Sequence, residues 1–160
     1  MLPRSERDAL IEKYASGAAL IRQVWESVPA EARGWRPSAQ KWSAHEVVCH
    51  CADSETYAAI RIRLLFGERS ATIVGYDQDA WCQKLDYANQ DAELALATIE
   101  AVRGWTTPIL RSAPEDYWHH VGTHSELGRY SANDWLRIYS EHLEVHARQI
   151  ERNIRAFAAR

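Results

Sequence analysis

Residues 130–160 read YSANDWLRIYSEHLEVHARQIERNIRAFAAR. The segment opens with a helix-start signature: Ser131 in the cap position, the acidic Asp134 three residues on, and Tyr130 placed to pack on Trp135 as a hydrophobic staple. Trp135, Ile138, Tyr139, His142, His146, Ile150 and Phe157 then recur at steps of three and four, which is the pattern of a helix with one buried face. Measured from Ser131 at 1.5 Å per residue, such a helix extends about 40 Å. Arg148, Arg152 and Arg155 near its end suit the negative pole of the helix dipole.

A single-sided apolar helix needs partners, and the chain supplies three. The same opening recurs at Lys41-Trp42-Ser43-Ala44-His45-Glu46-Val47, where Ser43 can accept from the Glu46 amide, Glu46 can reach back, and Trp42 can pack on Val47. This second helix is predicted to run to Phe66, with Gly67 ending it. A first helix is predicted over Ser5 to Val28, with Ser5 capping it, Leu10, Tyr14, Ala18, Ile21, Trp25 and Val28 on one side, and Pro29 stopping it. The third covers Tyr87 to Ala113 and carries Leu94, Leu96, Ile99, Val102, Trp105 and Ile109; its pattern is the least regular, and Pro108 is expected to kink or shorten it.

Between these helices, residues 29–42 form a turn-rich linker and residues 114–130 a polar loop. Residues 67–86 make a long connection without sustained helical pattern, of a length that permits a crossover along a bundle. No stretch reads convincingly as strand. The expected fold is all-α, a four-helix bundle with a long connection between helices 2 and 3, formed by residues 1–160 as a single domain.

Composition narrows the function classes. With 46% hydrophobic and 26% charged residues the chain is not a disordered protein. Nineteen basic against 22 acidic residues give a net charge of −3, which is no nucleic-acid footprint. No apolar run reaches the roughly 20 residues of a membrane span, and MLPRSERDALIEKY lacks the apolar centre of a signal peptide. Three cysteines, Cys49, Cys51 and Cys82, are an odd number in a non-secretory chain, so the expected location is the cytoplasm.

The chemistry is carried by histidine. His142 and His146 stand one turn apart, a spacing that stacks two imidazoles on one helix face. Seven histidines in 160 residues produce about 0.3 such pairs by chance, so spacing alone does not decide. Their place on the apolar stripe does more: two buried rings must not both be charged, and each needs a partner. A divalent ion meets both needs, since it takes the neutral ring as ligand. His50, on the same stripe of the second helix as Val47 and Tyr57, is the best third ligand. The alternatives are packed core histidines on each helix, or a competing pair at His45 and Cys49. Cys49 and Cys51 differ by about 200° around a helix and cannot chelate together. Glu144 points away from the histidines, and no HExxH zinc-protease motif, Gly-x-Ser-x-Gly elbow or phosphate loop occurs.

In order and spacing, four segments resemble the DinB/YfiT-like superfamily of metal-dependent enzymes. They are Trp42-Ser43-Ala44-His45-Glu46-Val47-Val48-Cys49-His50-Cys51-Ala52-Asp53-Ser54-Glu55, the loop Asp77-Gln78-Asp79-Ala80-Trp81, the turn His124-Ser125-Glu126-Leu127-Gly128, and Trp135 to Ile150. The resemblance implies a metal triad of His50, His142 and His146 inside a four-helix bundle, with His124 at a structural turn. It also implies a homodimer, and an activity of either hydrolase or thiol-dependent S-transferase type.

Three neutral histidines leave a coordination position open, as in catalytic metal sites. The expected function is therefore a metal-dependent hydrolase or thiol transferase acting on a small molecule, possible partners being a low-molecular-weight thiol and a second copy of the chain. The alternative is a non-catalytic metal- or small-ligand-binding or stress-response bundle. The ion would be zinc, nickel, iron or manganese, and imidazole suits copper as well. Candidates for a general acid or base are Asp53, Glu55, Asp77, Asp79 and Tyr139, and Trp81 is a candidate pocket wall or loop anchor.

Overall fold

The computed structural model describes residues 2–160. In chain order the elements are α1 (Arg4–Glu26), α2 (Ala44–Gly67), β1 (Thr72–Ile73), α3 (Gln78–Lys84), α4 (Ala92–Ser112), β2 (Val121–His124), β3 (Gly128–Ser131) and α5 (Ala132–Ala158). Short 3-10 turns lie at Ala30–Ala32, Tyr87–Asn89 and Glu115–His119. The four long helices are those expected, with α4 and α5 in the places of the third and fourth.

Both expected capping boxes form. Ser43 Oγ accepts from the Glu46 amide at 3.2 Å while Glu46 accepts from the Ser43 amide at 2.8 Å. Ser131 and Asp134 repeat the pair on α5 at 3.2 and 2.9 Å. Ser5 is no cap: Pro3 holds that position, and its carbonyl accepts from the Arg7 amide at 3.0 Å. Proline fits just outside the first turn because its φ is fixed and it has no N–H to satisfy.

The long helices do not neighbour one another in sequence order. Each of α1 and α2 packs along both α4 and α5, which sets α1 diagonal to α2 and α4 diagonal to α5. Two apolar clusters fill the interior. One holds Ile21, Trp25, Val47, Leu96, Ile99, Leu143 and Ile150. The other holds Ile11, Tyr14, Ile62, Leu65, Trp118, Trp135 and Tyr139. Between them, on the intervening turns of the same helices, lies a layer of buried polar groups: Ser54 and Glu55 on α2, Arg103, Thr106 and Thr107 on α4, and Ser140 on α5. Gly17 occupies this level of α1, because a Cβ there would collide with the Arg103 guanidinium.

Arg103 also explains why α4 was hard to read. Its buried face is Ala92, Ala95, Leu96, Ile99, Arg103, Thr106, Thr107 and Leu110, whereas Leu94 and Trp105 are each 67% exposed. A charged residue at the centre of the true core face broke the apolar pattern and shifted the expected stripe. Pro108 does not shorten α4, which runs on to Ser112. The carbonyl deprived of a partner by Pro108 is that of exposed Gly104, where water can serve it.

The loops contain structure that the sequence did not announce. β1 pairs parallel with β2 (Thr72↔Thr123, Ile73↔His124), and β2 pairs antiparallel with β3 from Val121↔Ser131 to His124↔Gly128. Ser125–Leu127 form the turn, with Gly128 at φ +71° in the left-handed region. Strands of two to four residues are too short for alternation to register. The connection after α2 likewise contains α3, capped by Asp77 through the Ala80 amide at 2.9 Å. These pieces stand over one side of the bundle and supply walls to the site.

Candidate metal centre

His50 projects from the second turn of α2, and its side chain is buried, with the residue only 1% exposed. His142 and His146 stand half-buried on successive turns of α5. The three rings converge: one donor nitrogen from each lies within 4.8 Å of the others. Ring centroids are 4.8 Å apart for His50 and His146, 5.8 Å for His50 and His142, and 4.6 Å for His142 and His146.

Neighbouring groups fix the two α5 imidazoles. His142 Nδ1 is 2.7 Å from Glu55 Oε1. Burial alone would raise the Glu55 carboxyl, but the Arg103 guanidinium and the His142 hydrogen bond outweigh it and hold the group down at about 2. An ionised carboxylate only accepts, so Nδ1 of His142 donates to it and Nε2 is the ring nitrogen left for a metal. Ser54 Oγ lies 3.2 Å from that Nε2. His146 Nδ1 donates to Gln149 Oε1 at 2.9 Å, leaving its Nε2 free in the same way. Such outer partners orient metal-binding histidines and raise their basicity.

His50 differs: both of its ring nitrogens are buried without any hydrogen-bond partner. Each unmade bond of this kind costs roughly 1–3 kcal/mol. Burial, reinforced by His146 and His142 nearby, pushes its pKa down to about 2, and burial with His142 pushes His146 down to about 4. The site therefore brings together two imidazoles held neutral, those of His50 and His146, and the ring of His142, with one nitrogen of each close to the others and His50 otherwise orphaned. That donor set fits a divalent transition metal.

Glu55 is itself anchored. Arg103 is buried and donates to it from Nε and Nη2 at 2.9 and 2.7 Å. Its remaining donors reach the Tyr139 carbonyl at 2.9 Å and the Tyr14 carbonyl, and the guanidinium lies 4.1 Å from the Tyr14 ring centroid. One polar chain thus runs from α1 and α4 through α2 to His142 on α5.

The remaining sequence candidates separate. Glu55 orients His142 and faces no cleft. Asp53 accepts from the Tyr87 hydroxyl at 2.6 Å. Asp77 caps α3, while Asp77 and Asp79 line a cleft of about 450 Å³ together with Lys41, Trp42, His146 and Gln149. Tyr139 lines a second cavity, of about 200 Å³, with Ser54, Arg61, Tyr76 and His142. Trp81 walls neither; it backs Tyr76, with ring centroids 4.3 Å apart, and so anchors the loop. His124 keeps the turn role, its Nδ1 accepting from the Glu126 amide at 3.1 Å. His45 and Cys49 do not form a second pair: His45 Nε2 bonds the Gln90 carbonyl at 2.8 Å and the Cys49 thiol the Tyr87 carbonyl at 3.6 Å. Sequence reasoning missed Ser54, Arg61, Arg103 and Gln149. The one available signal was an arginine four residues after Ile99 on a face that must be buried.

A family model of the DinB superfamily matches residues 14–150. A protein of Oceanobacillus iheyensis, named "Putative metal-dependent hydrolase", is 31% identical over 109 residues, covering 68% of this chain and 63% of the relative. "Putative metal-dependent hydrolase YfiT" of Bacillus subtilis is 26% identical over 117 residues, covering 71% of this chain and 66% of the relative. The matched region thus spans just under two thirds of these relatives' length. The solved structure of Bacillus subtilis YfiT, described as "a probable metal-dependent hydrolase with an unusual four-helix bundle topology", superposes with a TM-score of 0.90. It is 22% identical, and the match covers 99% of this chain and 91% of that one. At that identity the likeness establishes the fold, including its diagonal helix order.

Proposed function

Because this chain belongs to the DinB superfamily, we propose that it is a metal-dependent hydrolase of small molecules whose ion is held by His50, His142 and His146. The observation that carries the reading is the convergence of three imidazoles, one of them a buried ring with no other partner for either nitrogen. A bound divalent ion supplies Lewis acidity and lowers the pKa of a water or thiol that meets it.

The residues of the chain do the rest. Glu55 and Gln149 hold the Nδ1 protons of His142 and His146, so both Nε2 lone pairs stay directed inwards. The Ser54 hydroxyl, 3.2 Å from His142 Nε2, would be released to donate to a substrate oxygen if an ion took that nitrogen. The clefts on the His146 and His142 sides give a small substrate access, and Gln78 stands in the wall of both. The half-buried ring of Trp42 packs on His50 and the buried ring of Tyr139 on His142, which limits the access of bulk water to those imidazoles.

A second reading rests on the donor set. His50, His142 and His146 would hold a divalent ion without adding negative charge, and such an ion would acidify a thiol as it would a water. S-transfer from a low-molecular-weight thiol is therefore the alternative activity. The free, buried Cys49, Cys51 and Cys82 favour a reducing, cytoplasmic setting, and the homodimer implied by the resemblance is open to test by sedimentation. Turnover separates the readings. Metal-reconstituted protein is expected to cleave small activated esters, to lose that activity with a chelator and in His142→Ala, and to regain it when metal is returned to the wild type. Thiol consumption with an electrophile, without ester cleavage, would favour the transferase; ligand retention without turnover of either kind would defeat both.

A further inference from the structure

Three arginines of the chain are buried: Arg7, Arg61 and Arg103. Arg7 is paired with Glu115 and Arg103 with Glu55. Arg61 has no carboxylate within 4.0 Å among the described residues, although it is only 8% exposed. Its Nη1 donates to the Tyr139 hydroxyl at 2.9 Å and its Nη2 to the Val74 carbonyl at 2.7 Å, both neutral partners. Its Nε is buried and unpartnered, and the guanidinium lies 4.6 Å from the Tyr57 ring centroid. A buried cation without a counter-ion is costly, and an anion beside it would offset that cost.

The space for that anion adjoins the histidines. Arg61, Ser54 and His142 line one cavity of about 200 Å³ with Tyr76 and Tyr139. Ser54 and Arg61, seven residues apart on α2, share one face of that helix. The Tyr76 hydroxyl is buried with no hydrogen-bond partner. Tyr139 accepts from Arg61, which leaves its own proton free for another acceptor. Two phenol hydroxyls, with Ser54 as their shared neutral neighbour, and the unpartnered Arg61 Nε thus belong to side chains of one cavity. Glu126 also lines the cavity, and its residue is exposed; a carboxylate there repels a doubly charged group and tolerates a single negative charge.

We propose that this cavity is a carboxylate-binding subsite, in which Arg61 and the hydroxyls of Tyr76 and Tyr139 hold the anionic end of a small organic substrate and direct its reacting bond towards His142. The proposal rests on the reading of the three histidines as the reaction centre, and it narrows the substrate class to small organic acids carrying one carboxylate beyond the bond that reacts.

The test is a calorimetric titration of the whole chain, stripped of metal so that no carboxylate can bind an ion directly, with benzoate and its neutral counterpart benzamide. Benzoate is expected to bind about tenfold or more tightly than benzamide. Arg61→Gln should abolish that preference. Because Arg61 also ties down the Val74 carbonyl, Tyr76→Phe is the cleaner variant: it removes a hydroxyl that anchors no backbone and should weaken benzoate several-fold, and benzamide by less, with the melting temperature unchanged. Equal binding of the two probes, no binding of benzoate, or an unchanged benzoate affinity in Tyr76→Phe would overturn the subsite. The two proposals fail separately. Benzoate selectivity in a protein that cleaves no ester leaves the subsite and removes the hydrolase; ester cleavage without benzoate selectivity does the reverse.

Discussion

At the scale of single residues, the site depends on groups that touch no substrate. Glu55→Gln leaves the Arg103 guanidinium buried beside a neutral amide and takes the ionised acceptor from His142. We expect a loss of stability of about 3–5 kcal/mol in denaturant unfolding and a 10–100-fold weaker metal affinity. Gln149→Ala separates the two effects. Gln149 is half-buried at the mouth of the cleft, so the variant should lose about tenfold in metal affinity with an unchanged melting temperature. Gly17→Ala tests the far end of the same chain. The added methyl meets a guanidinium anchored by Glu55 and two carbonyls, so a destabilisation of about 1–3 kcal/mol is expected, with weaker metal binding by way of Glu55. A Gly17→Ala protein with wild-type stability and metal affinity would show that Arg103 has room to move.

At the scale of elements, the two capping boxes set where α2 and α5 begin and therefore where the histidines fall. Burial pushes the Glu46 carboxyl up, but Arg36 and the Ser43 amide outweigh it and hold it below the ordinary value of 4.5. The unfolded chain thus takes up this proton at higher pH than the folded one. The stabilisation is complete above pH 4.5 and disappears as the pH falls through the lower folded value. Glu46→Gln should cost about 1 kcal/mol at neutral pH and flatten the acid limb of the stability profile; an unchanged limb would assign it to other carboxylates. These caps were legible in sequence because they are local: Ser43 with Glu46, and Ser131 with Asp134, lie three residues apart. So was the convergence of three imidazoles, since His142 and His146 share a helix face and His50 sits on an apolar one. The short strands, α3 and the face of α4 were not legible. β1 acquires its partner from residues some fifty positions later, and Arg103 sits on its core face only because Glu55 waits there from another helix. Long-range pairing leaves no trace in local periodicity.

At the scale of the whole molecule, the bundle carries a polar layer between two apolar clusters, and the three-histidine cluster adjoins that layer through Glu55 and His142. A buried polar group weakens a small fold unless it is satisfied, and His50 is left with both ring nitrogens unsatisfied. Metal binding should therefore stabilise the fold itself, by about 2.7 kcal/mol at a free metal concentration a hundred times the dissociation constant. The melting temperature should rise with added zinc or nickel in the wild type and stay fixed in His50→Ala. The most direct measurement is elemental analysis of purified, metal-reconstituted protein beside His50→Ala, His142→Ala and His146→Ala, each confirmed as folded by circular dichroism. The account predicts a single ion per wild-type chain and its loss from each of the three folded variants. Full retention of the ion by any one of them, or a wild type that takes up none, would contradict it.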